Sequence, residues 1–221
     1  MSGFRAIAIV GFVLTIAFVY KMMIAAKISP SKVLREVVPK CCSFGLDVRS
    51  GAFLSTYHGF GVFSYRLMML SFLVLAFSGF LGPVLFGDHM TGILLTLHLL
   101  VAPLFAISAA LLTLFWAPSH FFTASEFRQL TAMLRPKSEG DAANRRDVFR
   151  KSFFWLLSIL SVFLVVPILV SMTAILSANG LNMMLEVHRY SAIIFTMFAA
   201  GHSFIMIEQL KISENNSPVS E

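Results

Sequence analysis

Residues 187–207 read VHRYSAIIFTMFAAGHSFIMI, an apolar run with a histidine near each end. A bilayer core of about 30 Å is crossed by roughly 20 apolar residues in a helix, so this stretch has the length of a membrane span. His188 and His202 stand 14 residues apart. At about 100° per residue that is roughly 40° short of four whole turns, which puts both on one face, about 21 Å apart along the axis. Ionisable residues inside membrane helices are rare and mostly functional, and a helix carrying two of them asks what faces them.

Working outward, the whole chain has the composition of a lipid-embedded protein. Of its 221 residues 57% are hydrophobic and 13% charged, with 23 Phe and 12 Met, whereas soluble domains carry about 25% charged residues. That excludes a water-soluble enzyme, a disordered chain and a disulfide scaffold. The two cysteines, Cys41 and Cys42, are adjacent and have neither a zinc-site spacing nor the C-x-x-C-H pattern of covalent haem attachment. Apolar segments run from Ala6 to Met23, Ser64 to Phe86, Thr91 to Trp116, Phe153 to Leu176 and Leu181 to Ile207. These predict an all-α integral membrane bundle of five transmembrane helices. Tyr20 and Lys21 interrupt the first run before any small-residue cleavage site, so it reads as an uncleaved anchor. The chain then divides into an anchor helix over 1–26, a connection over 27–63, two spans within 64–116, a basic loop over 117–151, two spans within 152–210 and a tail over 211–221.

The net charge of +6 resolves into topology. One long connection holds Lys27, Lys32, Arg35, Lys40 and Arg49; the other holds Arg128, Arg135, Lys137, Arg145, Arg146, Arg150 and Lys151. The two short connections carry no Lys or Arg. Positive residues stay inside, so both long connections and the C-terminal tail are predicted cytoplasmic and the N-terminus outside. Trp116 and Trp155 then both sit at the inner headgroup level that indole rings prefer. No nucleic-acid partner is needed to explain the charge. The mixed-charge run KSEGDAANRRDVFR over 137–150 reads as a solvated loop or short helix.

His98 lies about seven residues inside the outer end of the third span, and His188 is at a similar depth on the fifth. Two neutral imidazoles at matched depth on different helices are what a b-type haem iron takes as axial ligands. Each histidine alone could equally bond a neighbouring helix carbonyl. His89 and His120 fall beside the connections and read as interfacial.

The fifth span resembles the last helix of the membrane cytochrome b subunits of respiratory formate dehydrogenase and nickel-iron hydrogenase, including its His spacing. LHLLVAPLFAISAALLTLFW over 97–116 is similar to the helix of that family that begins with a haem-ligating His, and SYRLMMLSFLVLAFSGFLG over 64–82 to the preceding helix. The resemblance covers residues 55 to 210. It implies that four of the five helices form a haem-binding core with two stacked b-type haems in a bacterial inner membrane. Such a core passes electrons between a periplasmic cytochrome c or iron-sulfur subunit and membrane quinone, alongside other membrane subunits. Carried over by position, His98 and His188 would hold the outer haem and His202 one side of the inner haem. The family's remaining ligand falls on Tyr65, 14 residues before Gly79. Three readings stay open: His58, two turns earlier, binds in its place; Tyr65 or Met68 substitutes; or there is one haem and His202 has another task. The membrane subunit of respiratory nitrate reductase is a second relative, with wider spacing of its last-helix histidines and no counterpart of His98. Arg66 and Arg189 suit haem propionates or, equally, lipid headgroups. Tyr65, His58 and His120 are candidate proton donors to quinone. The competing class is a small transporter or a membrane anchoring subunit without haem. Transport would favour repeats and broken helices, and the chain has no repeat and no clear break beyond Pro103 and Pro167.

Overall fold

The computed structural model describes residues 2–25, 52–87, 89–133, 142–173 and 175–215, and the side chains of 3–24, 59–87, 89–131, 147–173 and 175–203. The described residues are all helical, with no strand. The helices are α1 (Ser2–Ala25), α2 (Ala52–Leu81), α3 (Gly92–Trp116), α4 (Ala124–Met133), α5 (Ala142–Ser171) and α6 (Ala178–Asn215). Four stretches, Gly3–Ile24, Gly59–Phe86, Gly92–His120 and Asp147–Ser171, are long and apolar enough to cross a membrane. This is a multi-pass membrane protein by length and composition. Helix α6 is about 57 Å long, with Glu186, His188, Arg189 and His202 set into its apolar sequence. Most of the connection over 27–63, with Cys41 and Cys42, and the end of the tail lie outside the described residues.

Lipid leaves backbone groups without water to bond, so a spanning segment closes its own hydrogen bonds as a helix. It also lets large apolar side chains face outward. Val10, Ile16, Leu70, Leu100 and Leu114 are all exposed, while Ser64, Ser71, Ser78 and Ser108 are buried. Lipid tails are as apolar as leucine, so helices pack here through small residues and close contact rather than hydrophobic transfer. The buried serines return their hydroxyl protons to their own helices, as Ser71 does to the Leu67 carbonyl (2.7 Å) and Ser108 to that of Leu104 (2.7 Å).

Helices α2 and α3 form one hairpin, α5 and α6 another, and α1 packs against α6. Phe195 of α6 joins the hairpins, its ring 5.2 Å from Phe72 of α2 and 5.8 Å from Phe105 of α3. On its other side α6 meets α1 through Phe4, Ala8 and Ile193.

Some element bounds differ from the sequence expectation. Helix α2 begins at Ala52, twelve residues before the predicted Ser64, and so carries position 58 on continuous helix. Its other end widens into a π-turn over Gly82–Phe86 and closes at Gly87, whose φ of 75° suits glycine. A π-turn leaves carbonyls short of donors, and Arg5 of α1 supplies them: Nε donates to the Val84 carbonyl (3.0 Å) and Nη2 to that of Leu85 (3.3 Å). The start of α1 and the end of α2 therefore share one end of the bundle. At the other end the predicted loop over 117–151 contains α4 and the first turns of α5, which begins at Ala142 rather than near Phe153.

Candidate functional site

Ser78 and His98 lie ten residues on either side of position 88, the middle of the α2–α3 hairpin, so the turn brings them level. The Ser78 hydroxyl lies 2.8 Å from the Val74 carbonyl and 3.2 Å from that of Leu75, which commits its single proton to α2. Its oxygen, 3.0 Å from His98 Nδ1, then accepts that nitrogen's proton. Gly79 makes the approach possible: a methyl group there would stand 3.1 Å from His98 Cε1.

His188 is held from the second hairpin. Its Nδ1 donates to the Leu164 carbonyl of α5 at 2.8 Å. Pro167, inside α5, has no N–H to give the Phe163 carbonyl four residues back and crowds it, so the helix is locally loosened in the turn where Leu164 accepts from His188. Both histidines thus spend Nδ1–H on the protein and keep Nε2 as a lone pair. In metal-binding histidines the bond made by one ring nitrogen sets what the other offers.

The two rings face each other across the hairpins, centres 6.3 Å apart and planes crossing at 86°. A metal–nitrogen bond of about 2 Å and about 1.2 Å from ring nitrogen to ring centre would separate two axial imidazoles by about 6.4 Å across one metal. Planes that both contain the bond axis can cross at any angle. Among the described residues no three His, Cys, Asp or Glu side chains converge. Two imidazoles alone make a poor cage for a bare ion, but they complete a metal that brings its own equatorial donors, as haem iron does.

The residue after His188 is engaged with protein. Arg189 Nη1 pairs with Glu186 Oε1 at 2.6 Å and Nη2 donates to His89 Nδ1 at 3.1 Å. This ties the α2–α3 connection to α6 beside the histidine pair. Arg66, the other proposed propionate partner, is half-buried on α2 beside Tyr65, away from the pair.

His202 lies toward the opposite end, on a cleft between the hairpins that Tyr65, Met68, Trp116, Phe154 and Phe195 also line. Its Nδ1 is buried with no hydrogen-bond partner among the described residues. Facing it is a column of near-parallel rings: Tyr65 on Trp116 (5.5 Å, 19°), Trp116 on His120 (6.2 Å, 11°), His120 on Phe154 (4.2 Å, 27°). Gly61 gives Trp116 its place, since a methyl group there would fall 2.5 Å from the indole nitrogen. His120 Nδ1 donates to the Trp116 carbonyl (2.9 Å). The structure thus brings Tyr65, Met68 and His202 to one cleft. The side chain of His58 lies outside the described residues.

Ser78, the role of Gly79 beside His98, and the Leu164 carbonyl were not read from sequence, where Gly79 served only as the reference point for Tyr65. The hairpin's symmetry about position 88 carries the signal for the first two. The Leu164 carbonyl has none, because it needs the crossing of α5 and α6. No protein-family model, curated protein or solved structure matches the chain.

Proposed function

We propose that this chain is the membrane cytochrome b subunit of a quinone-linked electron-transfer complex, with a b-type haem between α3 and α6 on His98 and His188. One observation carries the reading: two imidazoles from separate hairpins stand at axial-ligand spacing, each with Nδ1–H already given to the protein. A bound haem supplies a one-electron couple. The protein's residues do the rest: Ser78 and Leu164 orient the rings, and the buried Phe105 and Phe195, with the half-buried Phe72 against them, keep water from the centre of the bundle.

In this reading α6 crosses the membrane as a fifth span, the N-terminus is outside, and the pair lies near the periplasmic face of a bacterial inner membrane. Its redox partner there is a cytochrome c or an iron-sulfur subunit. The cleft at His202 lies near the cytoplasmic face, where a second haem or the quinone finds aromatic walls and a free imidazole nitrogen. Tyr65 and His120 are the hydroxyl and imidazole at hand there to exchange protons with quinone.

The test is the visible spectrum of protein purified from haem-replete cells. Reduced-minus-oxidised bands of b-type haem are expected, with pyridine haemochrome giving one or two haems per chain. A colourless preparation would overturn the proposal in favour of an anchoring or transport protein.

A further inference from the structure

At the Trp116 end, the chain leaves the bundle through a turn and a short helix whose attachment is unusually well defined. Thr123 and Glu126 form a capping box at the start of α4. The Thr123 N–H donates to Glu126 Oε2 at 2.7 Å and the Glu126 N–H to Thr123 Oγ1 at 3.3 Å. The other carboxylate oxygen, Oε1, accepts from Lys151 Nζ of α5 at 2.6 Å, and both side chains are 10% exposed. Lys151 also donates to the Phe121 carbonyl (3.3 Å) and Trp155 Nε1 to that of His120 (2.9 Å). The Lys151 ammonium, with the Thr123 amide, holds the Glu126 carboxyl down at about 2. The clamp therefore keeps its charge above the ordinary carboxylate value of 4.5 and loses it as pH falls toward 2.

This attachment sets the depth and the roll of α4. The span of α5 begins at Asp147, so Lys151 lies about 6 Å into it and Trp155 about 12 Å. Taking Asp147 as the outer edge of a headgroup layer about 5–8 Å thick, Lys151 and the Glu126 bound to it lie within that layer. With Glu126 turned onto α5, Phe127 points about 100° around the helix and Arg128 about 200°. Phe127 is 58% exposed and Phe121 63%; Phe121 rests against the more deeply placed Trp155, ring centres 5.8 Å apart. Leu130 shares the Phe127 side, while Ser125 and Arg128 fall on the other. From 117 to 151 the chain carries seven basic residues against four acidic.

We infer that α4 is an in-plane helix seated on an anionic bilayer surface, with Phe121 and Phe127 among the acyl chains and Arg128 at the phosphates. Helix α4 carries one ring, Phe127, and one basic residue, Arg128, on its two sides, and with Phe121 just before it this is a short form of the amphipathic pattern that binds an anionic interface. A protein partner would instead cover both rings and shield them from lipid and water alike. The inference is independent of haem.

The test uses the full chain with Cys41→Ser and Cys42→Ser, reconstituted in nanodiscs and spin-labelled at Phe127→Cys or Arg128→Cys. Both positions are exposed, so neither label disturbs the core, and a native α-helical circular dichroism spectrum is the control. Collision with oxygen is expected to exceed collision with a water-soluble nickel chelate at position 127, with the order reversed at 128. Replacing zwitterionic by anionic lipid should move the label at 127 deeper. Equal chelate access at both positions, shielding of 127 from both reagents, or a depth indifferent to lipid charge would each overturn the inference.

Discussion

The histidine pair and the His202 cleft are built from the same materials, helices with buried serines and aromatic rings, and they are prepared in opposite ways. At the pair, each imidazole arrives with its Nδ1–H spent, on Ser78 in one case and Leu164 in the other, which leaves Nε2 as its lone-pair nitrogen. At the cleft, one imidazole keeps a buried nitrogen without a partner among the described residues, and the cleft it shares is walled by stacked rings. A ligand site whose supporting hydrogen bonds are complete imposes a geometry; one with an orphaned acceptor or donor waits for a molecule to supply the missing bond. The comparison teaches that the two ends of α6 set their histidines in different hydrogen-bonding states although they share a helix face.

The sharpest way to break it is to remove one member of the pair. His188→Ala is expected to abolish haem at that site outright, since a single axial imidazole from α3 cannot hold the macrocycle between hairpins. His202→Ala is expected to leave that haem's bands unchanged. Pyridine haemochrome stoichiometry and the reduced alpha band of the two variants decide it. Loss of the same haem's bands in both variants would mean that the pair and the cleft are one site.

A smaller effect is expected from Ser78→Ala, which leaves both ligands but takes away the acceptor for His98 Nδ1–H. Losing a partner of a ligating histidine typically weakens binding by about 10- to 100-fold. Haem transfer to an apo acceptor protein should quicken accordingly. The midpoint potential should rise too, because an imidazole with its N–H unbonded is a weaker donor to the oxidised iron. Gly79→Ala comes next, with intrusions of this kind costing about 1–3 kcal/mol. The methyl group presses on His98 Cε1 without touching any hydrogen bond, so the expected result is a changed ligand-field signature in electron paramagnetic resonance with little change in potential.

Why these residues and not others were readable from sequence follows from the kind of information each needs. Lipid exposure shows in composition, because a span is apolar all round, and so the helices at 64–86, 91–116 and 153–176 stand out. The match of His98 with His188 needed one further quantity, depth, which counting from the span ends provides. The early start of α2 at Ala52 did not show, since Ser55, Tyr57, His58, Gly59 and Gly61 dilute its apolar character. Nor did α4, whose ten residues form no span and are held by the pairing of Glu126 with Lys151, 25 positions away. Orientation about a helix axis was the least accessible of all. That Arg189 turns to Glu186 and His89, and that Trp116 lies over Gly61 beside Tyr65, depends on how hairpins cross.

The smallest predicted effect bears on what fills the cleft. In His202→Phe the orphaned nitrogen is replaced by carbon in a ring of similar shape, next to Phe153, whose own ring stands 6.0 Å from that of His202. An unsatisfied buried polar group costs about 1–3 kcal/mol, so if the cleft holds no ligand the substitution should stabilise the protein by a fraction of that. If a haem or a quinone bonds His202 in the membrane, the same substitution removes a bond rather than a penalty, and the sign reverses. Thermal unfolding of the two proteins in identical nanodiscs, reconstituted before and after extraction of lipid-soluble quinone with apolar solvent, separates the cases. A variant more stable than the parent only after extraction places a lipid-soluble ligand on His202. One more stable throughout would show that His202 holds no ligand in the membrane.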